Sequence, residues 1–149
     1  MGIFDELFGN TKKTFPNNVK LEKDLSKILV KDVMSKQLII AQDSTTVYQI
    51  SKMMEHGIGA IFVKKDSNPI GIITDRDFAI KIMANKYPSD TPVGKVASMP
   101  LQIIGPNESI IDAAKQMSSK KIRKLAVVEN NKVIGIITST DLTRQLSMI

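Results

Sequence analysis

The sequence contains no cysteine, no tryptophan and a single histidine among its 149 residues. Without cysteine there are no disulfide bonds, no thiolate metal sites and no cysteine nucleophiles. The single histidine, His56, has no second ligand at a metal-binding spacing, so we expect neither a metal site nor a serine–histidine–aspartate triad. We therefore expect a protein that is not an enzyme and that requires no cofactor.

Long apolar runs and aromatic side chains are also scarce. No segment approaches the roughly 20 apolar residues that span a bilayer, and the first residues lack a secretory-signal pattern. We therefore expect a cytoplasmic protein that does not enter a membrane. Aromatic residues make up 5% of the chain, although the net charge is +6. Because base stacking needs aromatics and most lysines are scattered, a solvated basic surface is favoured over a nucleic-acid groove.

What the sequence does contain is an internal repeat. The phrase GIITDRD at Gly71–Asp77 returns as GIITSTD at Gly135–Asp141, an offset of 135 − 71 = 64 residues. Two further stretches also correspond, VKDVMSKQLII at residues 30–40 and VGKVASMPLQI at 93–103. We call these the first and second leading segments. The duplication predicts four regions: an N-terminal extension at 1–24, repeat 1 at 25–86, a linker at 87–92 and repeat 2 at 93–149.

Each repeat is predicted to form a strand, a helix, a β-hairpin and a second helix. The first strands are expected at 38–41 and 101–104. Helices should follow Thr46 and Ser109, because Gln49 and Asp112 complete possible capping boxes three residues later. The predicted hairpins join 58–63 to 70–73 through a turn at 64–69, and 125–128 to 133–137 through an Asn pair.

Other local predictions concern the two ends of the chain. Apolar residues after each GIIT phrase predict a helix there. Before the repeats, a short apolar face is expected to dock on the rest of the chain; it comprises Ile3, Phe4, Leu7 and Phe8.

The Thr and Asp of the doubled phrase allow two interpretations. A Thr at a helix N-cap followed three residues later by Asp is a capping arrangement, and the Asp also suits the helix dipole. The same strand-to-helix turn presents free backbone N–H groups to a phosphate. Its carboxylate can accept hydrogen bonds from the two hydroxyls of a ribose. Both roles can hold together, so the residues alone leave the choice open.

With these motifs in place, the chain resembles tandem CBS-domain proteins, whose paired repeats form a Bateman module. In repeat 1 the resemblance lies in Val30–Met34, the helix near 46–54, the strand at 58–63 and GIITDRD. In repeat 2 it lies in Val93–Ala97, where Ala97 replaces the usual Met, in Ile122–Val128 and in GIITSTD. The resemblance covers residues 25–147. It implies an α/β (α+β) fold of two β-α-β-β-α repeats with pseudo-twofold symmetry, and frequent pairing of chains into a homodimer.

The resemblance also implies ligands and the residues that bind them. Family members bind adenosine-containing molecules such as AMP, ADP, ATP or S-adenosylmethionine as regulatory ligands. Thr74 with Asp77, and Thr138 with Asp141, would hold ribose and phosphate. Adenine would lie against residues of the leading segments: Met34, Gln37 and Ile39 in the cleft of Asp141, and Ala97, Pro100 and Gln102 in the cleft of Asp77.

The two clefts are expected to differ in charge. By the resemblance, basic residues at the start of a hairpin face ligand phosphates. Arg123 and Lys124 would then serve the Asp77 cleft, while Gly59 and Ala60 would face the Asp141 cleft. The Asp77 cleft is therefore predicted to prefer the more phosphorylated ligand.

These features together favour a stand-alone regulatory module that binds an adenosine-containing small molecule and signals to a separate partner protein. A ligand that touches both repeats could bias their relative orientation by population shift. Two alternatives remain open. One is a scaffold or dimerisation protein with degenerate clefts, in which the Thr–Asp pairs are only helix caps. The other is a basic nucleic-acid-binding protein.

Overall fold

The computed structural model describes residues 18–148 and divides into two compact units. One, the continuous unit, is Gln37–Gln102. The other, the two-segment unit, joins the described residues up to Lys36 with those from Ile103 onward. The predicted apolar face at residues 3–8 lies outside the described residues. Among residues 18–148, no helix is long and apolar enough to cross a membrane.

The helices and strands follow the predicted order, preceded by two helices. In chain order they are α1 (Asn18–Leu25), α2 (Val30–Val33), β1 (Ile40–Gln42), α3 (Val47–Met54), β2 (Ala60–Lys65), β3 (Asn68–Thr74), α4 (Asp75–Asp77, continued by a π-helical stretch Phe78–Met83), a short 3-10 helix (Val93–Lys95), β4 (Ile103–Ile104), α5 (Ile110–Lys120), β5 (Lys124–Glu129), β6 (Lys132–Thr138) and α6 (Ser139–Ser147).

Each unit contains one three-stranded sheet with the same topology. The strand orders are β1-β2-β3 and β4-β5-β6. In each sheet the first strand pairs in parallel with the second, and the second pairs antiparallel with the third. The helix between the first two strands, α3 or α5, makes the crossover that a parallel pair requires. The predicted mixed α/β class and repeated β-α-β-β-α pattern are confirmed.

The first hairpin is tighter than predicted. Strands β2 and β3 continue through most of the expected turn at 64–69, and Lys65 pairs with Asn68. Pro69 pairs with Lys64 beside an irregularity in the register. Proline has no N–H to donate, but β3 is an edge strand, where that loss is tolerated. The predicted turn at 64–69 was wrong in its length, because Lys64 and Lys65 pair with Pro69 and Asn68 in the two strands.

The local signals of the second hairpin and of the crossover helices are confirmed. Asn130 and Asn131 have φ angles of 51° and 62°, the left-handed pair that a tight type I′ hairpin needs. Complete capping boxes open α3 at Thr46 and α5 at Ser109. Helix α5 has 11 residues and α3 has 8.

The core of each unit includes residues from a leading segment. In the two-segment unit, Leu25 and Val30 are buried in one cluster with residues of α5, β5 and β6. In the continuous unit, Val93, Val96 and Ala97 are buried with residues of α3, β2 and β3. The boundaries of the compact units therefore differ from those of the predicted repeats, 25–86 and 93–149. The predicted repeats describe the duplication of the sequence.

Candidate functional site

The doubled phrase forms the same strand-to-helix turn in both units. We call these the first Thr–Asp turn (Thr74–Asp77) and the second Thr–Asp turn (Thr138–Asp141). In the first, the Thr74 N–H and hydroxyl donate to Asp77 Oδ2 at 2.9 and 3.1 Å, and the Asp77 N–H donates to Thr74 Oγ1 at 3.4 Å. In the second, the matching distances are 2.9, 3.0 and 3.3 Å. Both turns are therefore capping boxes that satisfy helix N–H groups.

Asp77 takes part in a wider polar network. Its other oxygen, Oδ1, accepts a hydrogen bond from Ser98 Oγ at 3.0 Å and lies 3.4 Å from Lys81 Nζ. Lys81 Nζ also donates to Ser98 Oγ at 3.0 Å and to the Val96 carbonyl at 3.2 Å. The carboxylate is buried, and the network ties the start of α4 to the second leading segment.

Backbone pairing brings Ser98 to this place. The Ser98 N–H donates to the Ile72 carbonyl at 2.8 Å, and the Ile72 N–H donates to the Ser98 carbonyl at 3.1 Å. Ser35 and Ile136 exchange the same two bonds in the other unit, each at 2.9 Å. The third strand of each sheet, β3 or β6, thus pairs with a leading segment just before the Thr–Asp turn.

The second Thr–Asp turn has a different charged neighbour. Arg144 Nη1 lies 3.5 Å from Asp141 Oδ1, and the Arg144 side chain is 64% exposed. Met34 approaches the same strand, because a Cβ added at Gly135 would meet the Met34 sulfur. Met34 therefore lies in one unit with Asp141, and its contact with adenine stays a prediction.

The other predicted adenine contacts are divided between the units. Ala97, Pro100 and Gln102 belong to the continuous unit, as Asp77 does, and the Gln102 side chain donates to the Pro100 carbonyl at 3.2 Å. Gln37 and Ile39 belong to the same unit, and Ile39 packs against its core. Their assignment to Asp141 stays a prediction.

The predicted hairpin residues lie beside the turn of their own repeat. Ala60 pairs with Thr74, and the Gly59 carbonyl accepts a hydrogen bond from the Asp75 N–H at 3.4 Å. Lys124 pairs with Thr138, and the Arg123 carbonyl accepts from Ser139 N–H at 2.9 Å. The proposed roles of Arg123 and Lys124 toward Asp77, and of Gly59 and Ala60 toward Asp141, stay predictions.

Sequence reasoning missed Lys81 and Ser98. Lys81 follows Asp77 by four residues in a predicted helix, and this spacing places the two side chains on one face. The ion pair could have been predicted from that spacing. Ser98 lies 21 residues from Asp77 and carried no local signal. Among the described residues, no group of three or more histidine, aspartate or glutamate side chains is placed to hold a metal ion.

Comparison with known proteins identifies the repeat. The CBS domain family matches residues 30–84 and again residues 89–148. The chain belongs to the CBS domain family. The CBS domain-containing protein YhcV of Bacillus subtilis is 35% identical over 114 residues, which cover 76% of this chain and 81% of YhcV. Protein MK0525 of Methanopyrus kandleri is 35% identical over 119 residues, but the match spans only 61% of that protein.

Solved structures of other proteins resemble this one. A protein from Pyrococcus horikoshii matches with a TM-score of 0.76 and 27% identity, covering 81% of this chain and 93% of that one. The CBS domain pair of protein MJ0100, crystallised in complex with 5′-methylthioadenosine and S-adenosyl-L-methionine, matches with a TM-score of 0.73 and 27% identity. That match covers 80% of this chain and 96% of the MJ0100 pair.

Proposed function

We propose that this chain is a regulatory module that binds an adenosine-containing ligand at its Thr–Asp turns and signals to a separate partner protein. The observation that carries the proposal is the recurrence of one arrangement in both units. In each, a Thr–Asp capping box opens a helix directly after a strand that is flanked by a leading segment. The complex of the related MJ0100 pair with S-adenosylmethionine and methylthioadenosine supports a ligand of this class.

The two oxygens of each carboxylate have different partners, which supports different proposed roles. Oδ2 accepts from the Thr side chain and backbone, which fixes the orientation of the carboxylate. Oδ1 points to other donors, and it is the acceptor that a ribose hydroxyl would use. Backbone N–H groups at the start of α4 and α6 would favour a nearby phosphate.

Further contacts of the ligand are proposed from the resemblance. Residues of the leading segments would contact the adenine, and Arg123 and Lys124 would contact phosphates, so AMP, ADP, ATP and S-adenosylmethionine are the ligands to compare. A ligand that favours one of two conformations would change their populations and so pass a signal to the partner protein.

The proposal is tested by calorimetric titration of these four ligands and methylthioadenosine into the wild type, Asp77→Asn and Asp141→Asn. Asn keeps the size of Asp, and its amide oxygen can still accept the hydrogen bonds from the Thr backbone and side chain, but it lacks the charge and one acceptor oxygen. Asp112→Asn is the matched control, because Asp112 holds the same capping-box position in α5. We expect at least one ligand to bind, and one or both Thr–Asp variants to weaken it about tenfold or more.

A scaffold function is the second candidate, because both Asp residues already act as helix caps. If no ligand binds at millimolar concentration, and all three Asn variants change only the melting temperature, the scaffold function is favoured. If Asp112→Asn weakens binding as much as the other two, the loss reflects general destabilisation and the turns are not the site.

A further inference from the structure

The two Thr–Asp turns differ in the cation that lies beside the second carboxylate oxygen, Lys81 in the first and Arg144 in the second. Asp77 Oδ2 accepts two hydrogen bonds from Thr74, and Oδ1 accepts from Ser98 Oγ and is paired with Lys81 Nζ. A carboxylate offers about four acceptor directions. Three hydrogen bonds and one ion pair from the protein therefore surround the Asp77 carboxylate.

Lys81 is itself held in place by its other contacts. An ammonium group has three donors, and the three neighbours of Lys81 Nζ are Asp77 Oδ1, Ser98 Oγ and the Val96 carbonyl. Ser98 is fixed in turn by its backbone pairing with Ile72. The Asp77 side chain is 11% exposed and the Lys81 side chain is 39% exposed, so the carboxylate is buried while water reaches part of the Lys81 side chain.

The second Thr–Asp turn has a neutral residue where the first has Lys81. With the offset of 64 residues, the position equivalent to Lys81 is 81 + 64 = 145, which is Gln145. The ion pair at Asp141 Oδ1 comes instead from the exposed Arg144, on the adjacent position of α6. Exposed ion pairs contribute little, because water already competes for both partners. A ligand hydroxyl can displace the Arg144 side chain, which is 64% exposed, at lower cost than the Lys81 side chain, which is 39% exposed and also donates to Ser98 Oγ and the Val96 carbonyl.

We propose that Lys81 makes the two ligand sites unequal, because it occupies the Asp77 oxygen that a ribose would need. The inference rests on the proposed function. An adenosine ligand then fills the second Thr–Asp turn first, and binding at the first turn requires the Lys81–Ser98 network to open. Lys81 acts in this scheme as a specificity-determining residue.

The test is calorimetric titration with adenosine, whose lack of charge removes any contribution from phosphate contacts. The variants are Lys81→Gln, which copies the second repeat into the first, and the reciprocal Gln145→Lys. Asp77→Asn and Asp141→Asn assign each binding event to a turn. Ser98→Ala removes the second donor to Asp77 Oδ1 and keeps the test available if Lys81→Gln fails to fold in a thermal melt.

We expect two unequal binding events in the wild type, the stronger of them lost in Asp141→Asn. Lys81→Gln should strengthen the weaker event by about tenfold, the order of one interaction with a charged group, and leave the stronger event unchanged. Ser98→Ala should act in the same direction, and Gln145→Lys should weaken the stronger event.

Three results would overturn the inference. The first is two binding events of equal affinity in the wild type. The second is loss of the stronger binding event in Asp77→Asn. The third is a weaker binding event whose affinity neither Lys81→Gln nor Ser98→Ala changes. Any of these leaves the regulatory function standing, because adenosine still binds. Absence of binding in every variant, with the other adenosine ligands also failing to bind, overturns the inference and the proposed function together.

Discussion

At the scale of single residues, the glycine of each GIIT phrase is explained by the approach of a leading segment. A Cβ at Gly71 would lie 2.6 Å from both the Ser98 carbonyl oxygen and Met99 Cγ. The Ser98 carbonyl cannot retreat freely, because it accepts a hydrogen bond from Ile72 N–H. Gly135 meets Met34 in the same way. This packing requires glycine in both copies whether or not a ligand binds there.

Gly71→Ala is therefore expected to lower the free energy of unfolding by about 1–3 kcal/mol, the usual cost of overpacking a fixed site. Urea denaturation followed by circular dichroism measures the change. Gly59→Ala is the matched control, since a Cβ there meets nothing within 4 Å, and it should change stability by less than about 0.5 kcal/mol. Equal effects of the two substitutions would show that the second leading segment can move away from β3.

At the scale of secondary-structure elements, the turn between β5 and β6 depends on two residues in the left-handed conformation. Asn131 has a φ of 62°, which a β-branched residue adopts at a cost of about 1–2 kcal/mol. We expect Asn131→Val to lower the free energy of unfolding by about that amount, and Asn131→Gly to preserve or raise it.

The control for this turn is Asn68→Val, because Asn68 is exposed at the start of β3 and belongs to the strand. Thermal and urea unfolding of the three variants should place Asn131→Val well below the other two. If Asn68→Val is as destabilising as Asn131→Val, the effect comes from the loss of Asn and not from the left-handed backbone.

Elements whose signals are local were predictable from the sequence. The capping boxes at Thr46 and Ser109, the Asn turn and the Thr–Asp turns each depend on residues within a few positions of one another. Contacts over a long sequence separation were not predictable in this way. Periodicity did not show that Leu25 and Val30 pack with repeat 2, or that Ser98 reaches Asp77 across 21 positions.

At the scale of the whole molecule, exposed apolar side chains bear on the expectation of a homodimer. Ile80 is 53% exposed and Met83 is 76% exposed, and both lie in the π-helical stretch Phe78–Met83. Leu146 and Met148 are exposed at the end of the equivalent helix α6 and after it. Exposed apolar patches of this kind often mark protein–protein contacts.

Light scattering after size exclusion should therefore give about twice the mass of one chain. The double substitution Ile80→Glu with Met83→Glu should shift the protein toward the monomer, because two charges would be buried without partners. Tyr48→Glu, at an exposed aromatic residue of α3, is the control and should leave the mass unchanged. A wild-type monomer at high micromolar concentration would refute the dimer.

The last prediction concerns how the chain must be cut to leave a folded piece. The continuous unit needs the second leading segment, because Val93 and Val96 are buried in its core and the Val93 N–H donates to the Thr45 carbonyl at 2.7 Å. A fragment of residues 25–86, the first repeat as the sequence delimits it, lacks these groups.

Burial of each valine contributes about 1.5–3 kcal/mol, which is a large share of the stability of so small a domain. We expect the fragment 37–102 to melt cooperatively in circular dichroism and the fragment 25–86 to show no cooperative transition. The double substitution Val93→Ala and Val96→Ala in the fragment 37–102 separates the loss of side chains from the loss of chain length. It should lower the melting temperature of that fragment.

A cooperative melt of 25–86 at the same temperature as 37–102 would mean that the leading segment adds nothing to this core. The sequence repeat would then be the folding unit, although the buried valines argue that it is not.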